Sequence, residues 1–125
     1  MTPDATIPHD KAEQLEKVQA GLLEGERIVA VYDCTGAGTG FLAVTDLRVI
    51  IQDKSFVGGR TAVTSLPVRS ISSVSFVADK SAFGRFLTSA TVAFTVGSST
   101  HEATFRGEDK ARHVHDTVLA LVTRH

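Results

Sequence analysis

The chain has one cysteine, Cys34, and no tryptophan. A single thiol excludes an intramolecular disulfide framework and any zinc site built on several cysteines, and it suits a reducing compartment. The opening residues Met-Thr-Pro-Asp-Ala-Thr-Ile-Pro lack a basic segment followed by an apolar run, so no secretory signal is expected. No stretch approaches the roughly 18 apolar residues of a membrane-spanning helix. Neither sign of charge is in excess: 13 Lys and Arg against 14 Asp and Glu give a formal charge of −1. That balance removes any bulk pull toward nucleic acid or anionic lipid. A cytoplasmic protein with no nucleic-acid partner is the expectation. Internal repeats and low-complexity tracts are also missing.

What is present is globular. Hydrophobic residues make up 42% and charged residues 22% of 125 residues, enough for one domain with a real core. Residues 1–9 hold two of the three prolines and read as a flexible N-terminal arm. Residues 10–23 form a helical segment. Asp10 has N-cap chemistry, and Glu13 stands three positions later as in a capping box. Ala12, Leu15, Val18 and Leu22 then make one apolar stripe on a helix of about 11–22, which Gly21 and Gly25 end. So short a helix must dock, most economically on its own barrel rather than a neighbour's.

From Arg27 the period becomes strand-like. Ile28–Tyr32, Phe41–Val44 and Val49–Ile51 are apolar runs. Thr45, Asp46, Leu47 and Arg48 lie between the second and third, where Asp and Thr favour a tight turn, so a hairpin is read there. Thr61–Leu66 is a fourth strand, limited by Pro67. Ser73–Ala78 and Thr91–Val96 alternate as fifth and sixth strands, with Val92, Phe94 and Val96 on one face. Gly97-Ser98-Ser99 is a turn, and His101, Ala103 and Phe105 share a face of the seventh strand. A final helix of about 108–123 follows Gly107, with Ala111, Val114, Val118, Leu121 and Val122 as its buried stripe. Each strand is read with one strongly apolar face, so the sheet must curl, and the last helix stoppers the open end. The fold class is therefore mainly β: a seven-stranded antiparallel barrel or sandwich with a C-terminal capping helix and an extra N-terminal helix.

Leu23-Glu24-Gly25-Glu26, then Thr45-Asp46-Leu47-Arg48-Val49-Ile50, Ser65-Leu66-Pro67 and Ile71-Ser72-Ser73-Val74 resemble the bacterial pleckstrin-homology (PH) domains, especially the short stand-alone, YokE-like type. The resemblance covers about residues 22–123, and a PH-like domain is placed at 24–125. It implies a PH-like barrel of two near-orthogonal sheets closed by the C-terminal helix, and a non-catalytic scaffold. It also implies homo-oligomers, as bacterial members often form.

The remaining motifs argue against chemistry. Gly36-Ala37-Gly38-Thr39-Gly40 lacks the Gly-Lys-Ser/Thr ending of a phosphate loop, and Phe41 opens a strand rather than a helix. Residues 33–44 contain no Lys or Arg, so the basic cluster that a phosphorylated headgroup needs is missing from this segment. His113 and His115 lie about 200° apart around a helix and cannot share one ion by themselves. His115 and Asp116 are expected to diverge, and His101 and Glu102 to point to opposite faces of a strand. His9 and His125 fall in the tails. Cys34 has no nucleophile signature, and no Gly-x-Ser-x-Gly elbow occurs. No catalytic residue, cofactor or metal ligand is assigned.

Two groups of residues remain. Glu26, Thr45, Asp46 and Arg48 form a structural motif in which Arg48 pairs with Glu26 or Asp46 and pins the hairpin. Phe83, Arg85 and Phe86 form a candidate interface, because aromatic and arginine side chains dominate binding hot spots. The competing reading places Phe86 in the core and Phe83 over the barrel edge. The function expected is a non-catalytic interaction module that binds protein partners or assembles with itself. A membrane-surface or lipid-headgroup binder is the alternative, and a small enzyme or metal protein stands behind it.

Overall fold

Four strands follow the N-terminal helix before the chain changes sheet. The computed structural model describes residues 7–35, 40–54, 61–79 and 89–124. Helix α1 (Ala12–Ala20) precedes β1 (Ile28–Asp33), β2 (Phe41–Thr45), β3 (Arg48–Lys54) and β4 (Thr61–Pro67). A 3-10 turn, Val68–Ser70, leads to β5 (Ile71–Asp79), β6 (Ser89–Val96) and β7 (Ser99–Arg106), and α2 (Glu108–Arg124) ends the fold. The sheets are antiparallel, ordered β1-β2-β3-β4 and β5-β6-β7.

The inner faces of both sheets and the stripe of α2 make one core. Leu42, Val44 and Val49 meet Val92, Phe94 and Phe105 there, with Ala111, Val114 and Val118 of α2 closing over them. Phe94 and Phe105 are fully buried, each worth about 1.5–3 kcal/mol in removal from water. The alternation read in the sequence of β6 places Val92 and Phe94 inward. Val96, expected with them, is only half-buried at the strand end.

The strands do not close into a ring among the described residues. Instead β4 and β5 are each paired on one side only, because the 3-10 turn carries the chain from one sheet to the other between them. At the opposite corner a backbone bond, Thr35 N–H to the Thr104 carbonyl at 2.9 Å, bridges the sheets. The expected barrel is thus two packed sheets with a helical stopper.

One correction concerns the first sheet, which is apolar on both faces. Leu15 and Val18 of α1 pack on Val31, Phe41, Ala43 and Ile50, on the side away from the main core. All five residues of β2 are buried as a result. Strands covered on both faces carry continuous apolar runs rather than alternation, and this is why Phe41–Val44 reads as it does. The N-terminal helix accordingly docks on its own chain.

The start of that helix also differs from the capping box. Lys11 holds the N-cap position, with no side-chain cap bond. Asp10 turns away: its Oδ2 accepts from the Asp33 N–H at 2.9 Å and its Oδ1 from Lys110 Nζ at 2.8 Å. Residues Pro8 to Asp10 run beside β1, with Val31 N–H donating to the Pro8 carbonyl at 3.0 Å and Asp10 N–H to the Val31 carbonyl at 3.2 Å. The inner end of the expected flexible arm therefore covers the β1 edge.

Candidate interaction surface

Glu26 is a carboxylate taken almost wholly out of water, 7% exposed. Four donors meet it. Leu23 N–H reaches Oε1 at 2.8 Å, Thr45 Oγ1–H reaches Oε2 at 2.6 Å, and Arg48 grips both oxygens through Nε at 2.8 Å and Nη2 at 3.1 Å. Burial alone pushes the carboxyl up. The Arg48 hydrogen bonds and charge, with those from Leu23 and Thr45, outweigh it and hold the group below its ordinary value. Arg48 also donates to the Gly21 carbonyl at 3.0 Å and to Ser65 Oγ at 3.1 Å. Thr45 Oγ1 accepts the N–H of Leu47 and of Arg48 at 3.1 and 3.0 Å. Of the two partners considered for Arg48, the structure uses Glu26. Asp46 instead accepts the Arg27 N–H at 2.9 Å.

This network ties the end of α1, the β2–β3 turn and β4 together, and a notch lies beside it. Leu23, Leu47, Arg48, Pro67, Val68 and Arg69 line a hollow of about 230 Å³. Leu23 and Leu47 are 57% and 43% exposed. The notch runs into β4, a strand whose outer residues Thr61, Ala62 and Val63 are all exposed.

A larger polar cleft of about 490 Å³ lies at the other end of α1. Folding brings Lys11, Lys17, Arg106 and Lys110 to it, together with Asp10, Glu13 and Asp33. Two pairs are already made, Lys110–Asp10 at 2.8 Å and Lys11–Asp33 at 3.5 Å. Gln14 Nε2 donates to Asp33 Oδ1 at 2.9 Å, while its buried Oε1 has no protein partner. Cys34 lines the same cleft, and burial, aided by Asp33, Asp53 and Asp10, pushes its thiol up to about 12. The sequence hid this basic group because its members come from α1, β7 and α2.

His113 and His115 of α2 make side-chain contacts. His113 Nδ1 lies 2.7 Å from the Tyr32 hydroxyl, and the Tyr32 ring meets Phe105 edge-on. His115 and Asp116, expected to diverge, are 2.9 Å apart, because rotation about the side-chain bonds brings neighbouring tips on a helix surface together. Among the described residues no group of three His, Cys, Asp or Glu converges to hold a metal ion. Phe83, Arg85 and Phe86 lie outside the described residues. No helix among those residues is long and apolar enough to cross a membrane.

Two packed antiparallel sheets stoppered by a C-terminal helix define a PH-like domain, the fold of a general interaction module. The model of the bacterial PH domain family matches residues 22–119, and the chain belongs to that family. Helix α1 lies outside the matched stretch. A pleckstrin homology domain from Shewanella amazonensis SB2B superposes with a TM-score of 0.65 at 18% identity, covering 91% of this chain and 99% of its own. A DUF1696 family protein with a pleckstrin-homology domain from Shewanella loihica PV-4 gives 0.58 at 15% identity, over 90% and 93%. The hSac2 domain of the human phosphoinositide phosphatase Sac2 gives 0.57 at 9%, over 92% and 85%. At these identities the likeness is one of fold. No curated protein matches the chain.

Proposed function

We propose that this protein is a non-catalytic interaction module that binds protein partners, another copy of itself included, by accepting an added strand along β4. The observation behind this reading is the state of the four sheet edges. Natural edges are guarded by charge, proline, bulges or a cover. The β1 edge is covered by residues Pro8 to Asp10. β5 has a register shift between Ile71 and Ser73, and β7 carries Glu102 and Arg106. β4 reads Thr-Ala-Val-Thr-Ser-Leu before Pro67, with no charge, and Val63 is 59% exposed. Among the described residues nothing guards this edge, and an edge of this kind offers main-chain bonds to an extended segment.

The test is selection of a displayed library of random peptides on the full chain and on Val63→Lys. Peptides that bind the wild-type protein and lose binding on Val63→Lys are expected. Peptides indifferent to that substitution, or none at all, would overturn the strand-edge reading.

A second reading, adsorption to an anionic membrane surface, has one observation in its favour: four basic side chains share the polar cleft. Three carboxylates share it too, so the surplus is a single positive charge, and weak, salt-sensitive adsorption is expected. Co-sedimentation with phosphatidylserine-containing vesicles that persists at moderate salt would favour this reading over the first.

A further inference from the structure

We propose that the notch between Leu23 and Leu47 anchors a large apolar side chain on an extended segment of a partner protein, with a carboxylate beside that side chain to meet Arg69. The hollow, about 230 Å³, is smaller than the usual small-molecule site and suits one side chain. Its walls are the exposed Leu23 and Leu47, its floor is the buried Val68, and Pro67 closes the β4 end. Pro67 is also the last residue of β4, so a segment lying along that strand arrives at the notch.

The walls are held in place before any partner comes. Glu26 Oε1 accepts the Leu23 N–H, Thr45 Oγ1 accepts the Leu47 N–H, and the Val68 N–H donates to the Leu47 carbonyl at 2.9 Å. Glu26 thus fixes the backbone of Leu23, and Thr45 with Val68 that of Leu47, while both leucine side chains face water. Preorganisation of this kind lowers the ordering cost of binding. Charge selects the occupant. Among the described residues no carboxylate lines the notch, Arg48 is committed to Glu26, and Arg69 is exposed with no carboxylate partner. An apolar residue flanked by Asp or Glu satisfies both features, whereas a basic flank would be repelled.

Because the segment is taken to lie along β4, the anchor rests on the strand-edge reading, and the experiment separates the two. Peptides selected from the random library on the full chain are sequenced, synthesised and titrated against Leu47→Ser, Arg69→Glu and Val63→Lys. Both notch residues are exposed, so these variants should melt within a few degrees of wild type; Leu23→Ser serves as a second wall variant. The expected consensus is a large aliphatic or aromatic residue with Asp or Glu within two positions. Binding should weaken at least about tenfold on Leu47→Ser and on Arg69→Glu. Replacing the peptide's acid by Lys should restore binding to Arg69→Glu. Peptides lost on Val63→Lys but unmoved by the notch variants would overturn the anchor and leave the strand edge standing. Peptides lost on the notch variants alone would do the reverse. A library that yields no binder overturns both. A concentration-dependent solution mass abolished by Leu47→Ser would give the notch to a second copy and overturn the partner segment.

Discussion

Replacing Arg48 by Ala removes the only cation that, among the described residues, meets a carboxylate whose side chain is 0% exposed. Leu23 N–H and the Thr45 hydroxyl remain as donors, but the charge stays buried and uncompensated. Breaking a buried pair from one side costs about 3–5 kcal/mol. The Arg48 side chain is 19% exposed, which admits some water and sets the expectation at the lower end, about 3 kcal/mol. For a chain of this length each kcal/mol moves Tm by about 4 °C, so Arg48→Ala should melt about 12 °C lower. Arg48→Lys should fall between, keeping the charge but losing the two-pronged grip. The double variant Glu26→Leu, Arg48→Met should melt above Arg48→Ala, since apolar replacement of both partners removes the stranded charge. The pH dependence has a definite sign. The folded Glu26 carboxyl lies below the ordinary glutamate value of about 4.5, so the unfolded state binds the proton first. The stabilisation is complete above about 4.5 and is lost as pH falls through the folded value. Wild type and Glu26→Gln should therefore converge in Tm on acidification. Calorimetric melts of the four variants carry the test. An Arg48→Ala protein that melts with wild type would refute the assignment of Arg48 as the pin of this corner.

Three further outcomes are expected. Leu15→Ala should cost about 2–4 kcal/mol in denaturant titration, because Leu15 is 7% exposed against the outer face of the first sheet; a change under about 0.5 kcal/mol would mean that α1 is not docked there. Gly40→Ala should destabilise the chain markedly, because an added Cβ would run into the Gln52 carbonyl; an unchanged melting curve would contradict that close approach. Cys34 should react with iodoacetamide at pH 8 about two to three orders of magnitude more slowly than an ordinary thiol, since its pKa is raised to about 12, and mass spectrometry of the timed reaction gives the rate.

Strand positions were legible wherever one face is buried. The alternation in β6 and the stripe of α2 identify their inward residues without coordinates, because a period of two or of 3.6 is a direct imprint of a one-sided core. The same rule misled at the first sheet. Phe41–Val44 has no alternation because both faces are covered, and the unbroken apolar run was the signal that something lay over the outer face. Asp10 misled for a different reason: a carboxylate two residues before a helix has capping chemistry, but here Lys110 and the Asp33 amide, distant in sequence, compete for it and win.

By itself the sequence determined the order of the elements, the apolar stripes of β6 and α2, and the grouping of Glu26, Thr45, Asp46 and Arg48 at one corner, since these follow from local periodicity and from a few residues close to one turn. Only the tertiary structure decided which strands lie at the sheet edges among the described residues, that two leucines face water across a notch, and that four basic side chains from separate elements share a cleft. Such features depend on distances between residues far apart in the chain, and no local pattern encodes them.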